Sequence, residues 1–125
     1  MNGFVDSTVI IHLLRGNPHA QEWFKRQNLL ALTPIVWCEV MEGAQGRLGQ
    51  VNTLEILASF ELVFLTEQDQ AWAMRQLLTS RLSRGVAMND CLIASVCQRL
   101  ELPLYTHNGK HMTRLLEPAL VIQPY

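Results

Sequence analysis

The sequence predicts an α/β domain in which a mostly parallel sheet of about five strands carries helices on both faces. Short apolar runs of strand length alternate along the chain with longer stretches whose apolar residues recur at helical spacing. Two helix starts share one signature, a capping residue followed by proline, at Asn17-Pro18 and Thr33-Pro34. Strands that alternate with helices are joined by crossover connections, which favour parallel pairing.

The strands are predicted from apolar runs bounded by polar residues. The first run stops just before Asp6, and the fourth holds Pro103, which a strand tolerates at its start. The third run shows too little alternation for a half-exposed strand, so we expect it to be buried. In chain order, the predicted strands cover Gly3 to Val5, Leu29 to Leu32, Glu61 to Leu65, Leu102 to Tyr105 and Ala119 to Ile122.

The helices are predicted from caps and from apolar spacing. A helix that follows Asp6 ends at Gly16, because glycine commonly terminates helices. Thr66 and Asp69 have the spacing of a capping arrangement before a long helix, and Asn89-Asp90 opens the next one. The core-facing residues are predicted to be Ala71, Met74, Leu77 and Leu78 on the long helix, and Ile93, Ala94, Cys97 and Leu100 on the next. Further helices are predicted from Pro18, from Pro34 to Glu42, from Leu48 to Ser59 and, as a short element, between Thr106 and Leu116.

Length and composition favour a single globular domain, residues 1–125, with room for an ordinary hydrophobic core. Hydrophobic residues make up 49% and charged residues 17%, and no apolar run approaches the ~18 residues of a membrane span. The N-terminus lacks the pattern of a secretion signal. The cysteines Cys38, Cys91 and Cys97 form no C-x-x-C pair. We therefore expect reduced thiols, a cytoplasmic location and no thiolate zinc site.

The formal net charge is −1, which excludes a broadly basic protein that coats nucleic acid. A nucleic-acid partner would have to be held by a local basic patch, or by metal ions that neutralise phosphates and acids together. Net charge alone therefore neither supports nor excludes such a partner.

Three acidic residues fall at comparable ends of the predicted elements. Asp6 follows the first strand, Glu39 lies in the helix after the second, and Asp90 starts the helix before the fourth. Because parallel strands end at one edge of a sheet, we expect these carboxylates to gather there, with Thr106 and Asn108 beside them. Gathered carboxylates repel one another unless a cation joins them. Hard oxygen ligands suit Mg²⁺ or Mn²⁺, which can activate water for phosphodiester hydrolysis.

Each acid also has a purely structural explanation. Asp6 matches a helix cap, and Asp90 matches a first-turn acid that complements the helix dipole. Glu42 competes with Glu39 for the middle position, and spacing alone does not choose between them. From the residues alone, a metal site and a set of helix-start acids both remain open.

Four blocks of the sequence resemble the PIN domain, specifically the small VapC-type toxins of bacterial toxin–antitoxin pairs. Each block is short, but all four occur in order at fitting separations and together span nearly the whole chain. They are Phe4 to Ile11, Val36 to Gly43, Asn89 to Ala94 and Leu104 to His111. The resemblance implies a PIN-like three-layer sandwich, in which the sheet lies between two layers of helices.

The resemblance also implies roles for individual residues. Glu42 is expected to point away from the site, Asn108 matches a residue that orients it, and Thr106 is expected to hydrogen-bond a carboxylate. Where many relatives carry a fourth acid this chain has His111, which leaves open whether a second metal ion is held. Catalysis and metal binding are assigned to three acids, Asp6, Glu39 and Asp90.

The activity that the resemblance implies is that of an Mg²⁺- or Mn²⁺-dependent endoribonuclease that cleaves RNA and inhibits translation, the toxin of a type II toxin–antitoxin pair. The implied partners are the RNA substrate, a VapB-like antitoxin whose C-terminal segment blocks the acids, and a second copy in a homodimer. The alternative is a catalytically silent PIN module that binds RNA or protein. A phospho-receiver domain is disfavoured, because Asp6 is a single acid and the run before Thr66 lacks a terminal Asp.

Overall fold

The fold is a five-stranded sheet with helices between its strands, as seen in a computed structural model that describes residues 1–125. The strands are β1 (Phe4–Val5), β2 (Ala31–Leu32), β3 (Glu61–Leu62), β4 (Leu104–Tyr105) and β5 (Val121–Ile122). The helices are α1 (Ser7–Leu14), α2 (Pro18–Lys25), α3 (Pro34–Glu42), α4 (Gly46–Leu57), α5 (Glu67–Arg84), α6 (Met88–Leu100) and α7 (Gly109–Met112), followed by a 3-10 turn (Pro118–Leu120). The predicted α/β class is confirmed. None of these helices combines the length and apolar character needed to cross a membrane.

The strands lie in the order β3-β2-β1-β4-β5, and every neighbouring pair is parallel. The chain therefore runs outward from the central β1 to β3, returns past β1 to β4, and ends at β5. Since crossovers are right-handed, this reversal places α5 and α6 on the opposite face of the sheet from the earlier helices. The order reverses between β1 and β4, which makes their carboxyl ends the switch point where α/β proteins commonly bind ligands.

The predicted caps start the helices that surround the sheet. The Asn17 side chain accepts hydrogen bonds from the backbone N–H groups of His19 and Ala20, at 2.9 and 3.1 Å. The Thr33 hydroxyl accepts a longer one, 3.4 Å, from the N–H of Val36. Such caps typically contribute about 1 kcal/mol each. They fix the point at which the chain leaves a strand or loop and turns into a helix.

The core joins the sheet to helices from both parts of the chain. Phe4, Leu32 and Leu104 on the central strands are fully buried, together with Ile10 of α1 and Ile93 of α6. Each such side chain contributes about 1.5–3 kcal/mol through its burial. On α6 the predicted core residues Ile93, Ala94 and Cys97 are buried and Leu100 is partly buried, which confirms the predicted face. The strand ends that carry the site are thereby held rigidly.

The prediction that the third strand is buried was wrong. Both residues of β3 are exposed, and Phe64 after it is 69% exposed. The strand lies at the edge of the sheet and pairs only with β2. Weak alternation within a short run does not distinguish a central strand from an edge strand, because both contain apolar residues.

The predicted packing face of α5 was also wrong. Ala71, Met74 and Leu78 are exposed and Leu77 is only half-buried, whereas the helix buries Asp69 and Ala73. The apolar spacing identifies a face of α5 but cannot indicate whether that face packs within this chain. The helix instead packs on α6 along its other side.

Asp69 joins α5 to α6 through the ion pair that it forms with Arg99. Its Oδ1 and Oδ2 atoms accept hydrogen bonds from Nε and Nη2 of Arg99 at 2.7 and 3.0 Å. It also completes the predicted capping box, because its carboxylate accepts from the Thr66 N–H and its own N–H donates to the Thr66 hydroxyl. Burial opposes ionisation of Asp69, but the hydrogen bonds from Arg99 and Thr66 outweigh it and lower the pKa.

We expect Asp69→Ala to lower the free energy of unfolding by about 3 kcal/mol, since it leaves Arg99 unpaired and removes half of a capping box. Urea denaturation measures this change. Glu67→Ala, in the same helical turn but exposed, is the control and should lie within about 0.5 kcal/mol of the parent. Equally small losses of unfolding free energy in both variants would show that the Asp69–Arg99 ion pair does not stabilise the fold.

Candidate active site

Asp6 stands directly after β1, at the switch point, and is only 4% exposed. Its Oδ1 accepts a 2.8 Å hydrogen bond from the Ser7 N–H, so it does cap α1 as the structural explanation proposed. Its Oδ2 accepts a 2.6 Å hydrogen bond from the hydroxyl of Thr106, which directly follows β4. The predicted hydrogen bond between Thr106 and a carboxylate is therefore present. Capping and a place in the site are compatible roles for Asp6.

The Thr106 hydroxyl is itself held in place by the next turn of the chain. The backbone N–H of Asn108 donates to it at 2.9 Å. The loop after β4 thus supports the Asp6 carboxylate through Thr106. Asn108 is partly exposed beside this pair, at the start of α7, as expected for a residue that orients the site.

Glu39 lies in the second turn of α3 and is half-buried. Its Oε2 accepts a 3.2 Å hydrogen bond from the side-chain amide of Asn89, whereas its Oε1 is buried without a hydrogen-bond partner. Burial raises the pKa of Glu39, the hydrogen bond from Asn89 lowers it, and the charges of Asp6 and Asp90 raise it again, for a net increase. Glu39 therefore presents an unpartnered acceptor atom in a region of concentrated negative charge.

Asp90 is the third residue of α6 and is also half-buried. Burial and the charge of Asp6 raise its pKa, and the charge of His111 lowers it to a smaller degree. The N-cap of α6 is Ala87, which offers no side-chain hydrogen bond, so Asp90 has no capping-box partner. The mutual charge effects show that the fold brings Asp6, Glu39 and Asp90 to one side of the sheet, with His111 nearby.

The side chains form no ready-made cluster of three or more acidic, histidine or cysteine ligands. Hydrogen bonds from Ser7 and Thr106 hold Asp6, and one from Asn89 holds Glu39. That the three acids share one cation stays a prediction. The donor set nevertheless fits Mg²⁺ or Mn²⁺, since such ions keep several waters and bind through only one or two carboxylates. The buried, unpartnered Oε1 of Glu39 and the raised pKa of Asp90 both favour a nearby cation.

Two clefts border Glu39 on either side. One, of about 190 Å³, is lined by residues of α3 and α6 that include Glu42 and Asn89. Glu42 lies one helical turn from Glu39, and its charge is the smallest of the effects that raise the Glu39 pKa. That Glu42 points away from Asp6 and Asp90 stays a prediction. The other cleft, of about 250 Å³ between α1, α3 and α4, includes Arg15. Both clefts give access to the same carboxylate.

Sequence reasoning missed Asn89 as a site residue and treated it only as a helix start. Its position next to a candidate ligand was the available signal, but its partner Glu39 is 50 residues away in sequence. Arg15 was missed because no local pattern links it to Glu39.

A cluster of aromatic and imidazole rings behind the site was also missed. His12 Nδ1 and the Tyr125 hydroxyl lie 2.8 Å apart, and the ring of His107 lies against both, with centroids 4.9 and 4.4 Å away. The backbone N–H of His107 donates a 3.2 Å hydrogen bond to the hydroxyl of Thr8. Burial lowers the pKa of His107, and the charge of His12 lowers it further. These contacts attach the last residue of the chain to α1 and to the loop that carries Thr106.

We expect Asp90→Asn to raise the melting temperature of the metal-free protein at neutral pH. Raised pKa values for Glu39 and Asp90 mean that their ionised forms destabilise the fold, an effect that disappears as pH falls through those values toward the unfolded-state pKa near 4. Stability of the metal-free parent should therefore increase on acidification below neutral pH, and less so for Asp90→Asn. Melting curves in chelator from pH 7 to pH 5 measure both effects.

The same melting curves recorded in Mn²⁺ test the metal. An ion that binds only the native state stabilises the parent by about 2.7 kcal/mol at one hundred times its dissociation constant. Asp90→Asn should lose most of that increment, whereas the control Glu55→Gln, exposed on α4, should keep it. If Mn²⁺ stabilised Asp90→Asn as much as the parent, Asp90 would be a helix-start acid without a role in metal binding.

Comparison with known proteins agrees with this geometry. Residues 3–115 match the family model of the PIN domain. No curated protein has a sequence that matches this chain.

Several solved structures share the fold. A toxin–antitoxin complex from Klebsiella pneumoniae contains a chain with 22% identity and a TM-score of 0.80, and the match covers 98% of both chains. VapBC-1 from nontypeable Haemophilus influenzae matches with 23% identity, 92% coverage of each chain and a TM-score of 0.75. VapC20 from Mycobacterium tuberculosis, a Sarcin-Ricin loop cleaving toxin, matches with 14% identity, 92% coverage of this chain, 96% of the other, and a TM-score of 0.69. Because a family model matches most of its length, the chain belongs to the PIN domain family.

Proposed function

We propose that this protein is an endoribonuclease of the VapC type, dependent on Mg²⁺ or Mn²⁺, that acts as the toxin of a type II toxin–antitoxin pair and inhibits translation. The observation that carries the proposal is the set of acids at the switch point of a PIN fold, where Asp6, Glu39 and Asp90 raise the local negative charge. The likeness in fold to a toxin that cleaves the Sarcin-Ricin loop supports RNA as the substrate class.

Residues of the candidate site would have different roles in phosphodiester hydrolysis. When bound, the metal ion would supply an activated water and neutralise charge on the phosphate. Asp6, Glu39 and Asp90 would hold it, and the hydrogen bond from Thr106 fixes the orientation of Asp6. The Oε1 of Glu39, buried without a hydrogen-bond partner, would be available to bind the ion or a water on it. Asn108 supports Thr106 through its backbone N–H.

The alternative function is a catalytically silent PIN module that binds RNA or protein. His111 occupies the place where a fourth acid is common in the family that this chain resembles, which favours a weakly held or absent second metal ion. Its charge lowers the pKa of Asp90, so it acts on the site even without binding metal. The complete set of three acids favours the active enzyme over the silent module.

Cleavage of a labelled RNA stem-loop should require Mg²⁺ or Mn²⁺ and stop in chelator. We expect Asp6→Asn and Asp90→Asn to reduce the rate about a thousand-fold or more, because each removes a carboxylate that would hold the metal ion. His111→Ala and Glu42→Gln should stay within about tenfold of the parent, since both side chains are exposed. Gel analysis of the products measures these rates. RNA that binds the parent but is never cleaved in metal would establish the silent module.

We also propose a VapB-like antitoxin as partner, and a cytoplasmic location. The solved relatives described as toxin–antitoxin or VapBC structures support the partner. The cleft beside Glu39 is bordered by α4, which exposes Leu48, Val51 and Leu54 to solvent. An apolar antitoxin segment laid in this groove would cover Glu39. The three cysteines are free thiols, as a reducing compartment requires.

A homodimer is the last part of the proposal, and the exposed apolar face of α5 and α6 supports it. Met74, Leu78 and Leu82 are 71%, 84% and 99% exposed, and Met88 is exposed nearby. Met74 and Met88 line an apolar cavity of about 210 Å³ between the two helices. Contiguous apolar surface of this kind marks interaction sites, and a face that meets its own copy about a two-fold axis is self-complementary. We assign this face to a second copy of the chain.

Leu78→Glu should convert the dimer to a monomer, because a charge would be buried at the centre of the interface. Light scattering coupled to size-exclusion chromatography measures the mass. Leu48→Glu, an equally exposed leucine on α4, is the matched control and should leave the mass unchanged. The α5–α6 face would be rejected as the dimer interface if the parent were already a monomer, or if Leu48→Glu disrupted the dimer instead of Leu78→Glu.

A further inference from the structure

Two arginines that are far apart in sequence hold each other in place beside the site. The Nη1 atom of Arg84, at the end of α5, donates a 3.2 Å hydrogen bond to the backbone carbonyl of Arg114. The Nη1 atom of Arg114, after α7, donates a 3.0 Å hydrogen bond to the carbonyl of Arg84. This reciprocal pair brings two guanidinium groups to the same point on the surface, although like charges repel.

A third arginine lies one turn earlier on α5. Nη1 of Arg81 donates to the carbonyls of Gly85 and Val86 at 3.4 and 3.0 Å. The chain's ion pair joins Arg99 to Asp69, and none of these three arginines lies within ion-pair distance of a carboxylate. A guanidinium group has five N–H donors. In each of these three arginines, only the Nη1 atom donates to a carbonyl. We call Arg81, Arg84 and Arg114, with the exposed Lys110 of α7, the basic cluster.

The basic cluster flanks the carboxylates. The loop after Arg84 leads directly into α6, whose third residue is Asp90. Arg114 lies one turn after His111, because its N–H donates to the His111 carbonyl at 3.2 Å. The charge of His111 in turn acts on the pKa of Asp90. Arg84 therefore lies six residues before Asp90 in the chain, and Arg114 lies three residues after His111.

Helix capping explains why these arginines bind carbonyls at or just after the C-termini of α5 and α7, because cations favour helix C-termini. It does not require that arginines from two elements converge, nor that all of them lack acidic partners. In a chain with net charge −1, positive charge is concentrated here, next to the carboxylates. A ligand that suits both the carboxylates and the basic cluster carries several negative charges. A metal ion would neutralise the charge next to the carboxylates, and the guanidinium groups would neutralise the others.

We propose that the basic cluster binds the phosphate backbone of RNA next to the phosphate that is cleaved. The proposal rests on the proposed function for the identity of the substrate. It concerns contacts to the backbone, which are independent of base sequence. Arg84 and Arg114 are its centre, because their mutual hydrogen bonds hold both guanidinium groups in position before RNA arrives.

The test measures binding without cleavage. Fluorescence anisotropy of labelled oligouridylate is recorded in chelator with Asp90→Asn as the parent background, over a range of salt concentrations. Arg84→Gln and Arg114→Gln should each reduce the slope of log affinity against log salt by about 0.7, and lower affinity about fivefold at 0.1 M salt. Glutamine keeps a side-chain donor for the carbonyl, so that charge is lost while the local hydrogen bond can form. Melting curves verify the fold.

Arg75→Gln is the matched control, because it removes the same charge from the same helix, more than two turns before Arg84. It should leave the salt slope unchanged, and Arg84→Lys should restore most of the slope lost in Arg84→Gln. Any of three results overturns the proposal: background protein that fails to bind RNA, cluster variants that bind like the background, or Arg75→Gln that weakens binding equally.

Failure of this proposal can be separated from failure of the proposed function. Metal-dependent cleavage by the unmodified chain, with binding indifferent to the arginines, would leave the nuclease intact and reject the basic cluster. Arginine-dependent RNA binding without any cleavage in metal would keep the cluster and reject the nuclease, as in the silent PIN module.

Discussion

The architecture of the site depends on the direct pairing of β1 with β4. Asp6 and Thr106 are 100 residues apart in sequence, yet they follow neighbouring strands and share a 2.6 Å hydrogen bond. The reversal of strand order between these strands opens the sheet edge at this point. Glu39 and Asp90 then reach the same edge from helices that pack on either side. A shift of the β1–β4 register would separate Asp6 from Thr106 and leave a buried carboxylate without its hydroxyl partner, which is costly.

Two acids occupy the same helical position with opposite consequences. Asp69 and Asp90 are each the third residue of their helix, α5 and α6. Asp69 forms an ion pair with Arg99 and a capping box with Thr66, and its pKa is lowered. Asp90 lies in a helix whose N-cap is an alanine, and burial and the charge of Asp6 raise its pKa. The first arrangement stabilises the ionised fold and the second destabilises it. A helix-dipole role alone does not explain this difference, whereas the surroundings of each acid do: the hydrogen bonds from Arg99 and Thr66 for Asp69, and burial with the charge of Asp6 for Asp90.

The local part of this structure could be predicted from sequence, and the long-range part could not. The caps at Asn17, Thr33 and Thr66 were predictable because a cap and its helix are adjacent in the chain. The strand ends that carry Asp6 were predictable for the same reason. The exposure of β3 and of the apolar face of α5 was not, since a pattern of apolar residues does not reveal which of them pack within the chain. The Asn89–Glu39 bond depends on packing between distant elements, and it gives no signal in single-sequence patterns.

The proposed RNA substrate has to be reconciled with a net charge of −1, and the distribution of charge along the chain does so. A uniformly basic surface would bind RNA tightly everywhere and would not favour the phosphate at the carboxylates. In the proposed nuclease, the acids would repel phosphate unless a cation is present, while the arginines of the basic cluster would attract the neighbouring backbone. Binding and cleavage would then be separable properties, because one would depend on guanidinium groups and the other on a metal ion held by carboxylates. The proposed antitoxin segment, covering Glu39 from the cleft that Arg15 lines, would suppress cleavage by blocking the acids without needing to contact the arginines.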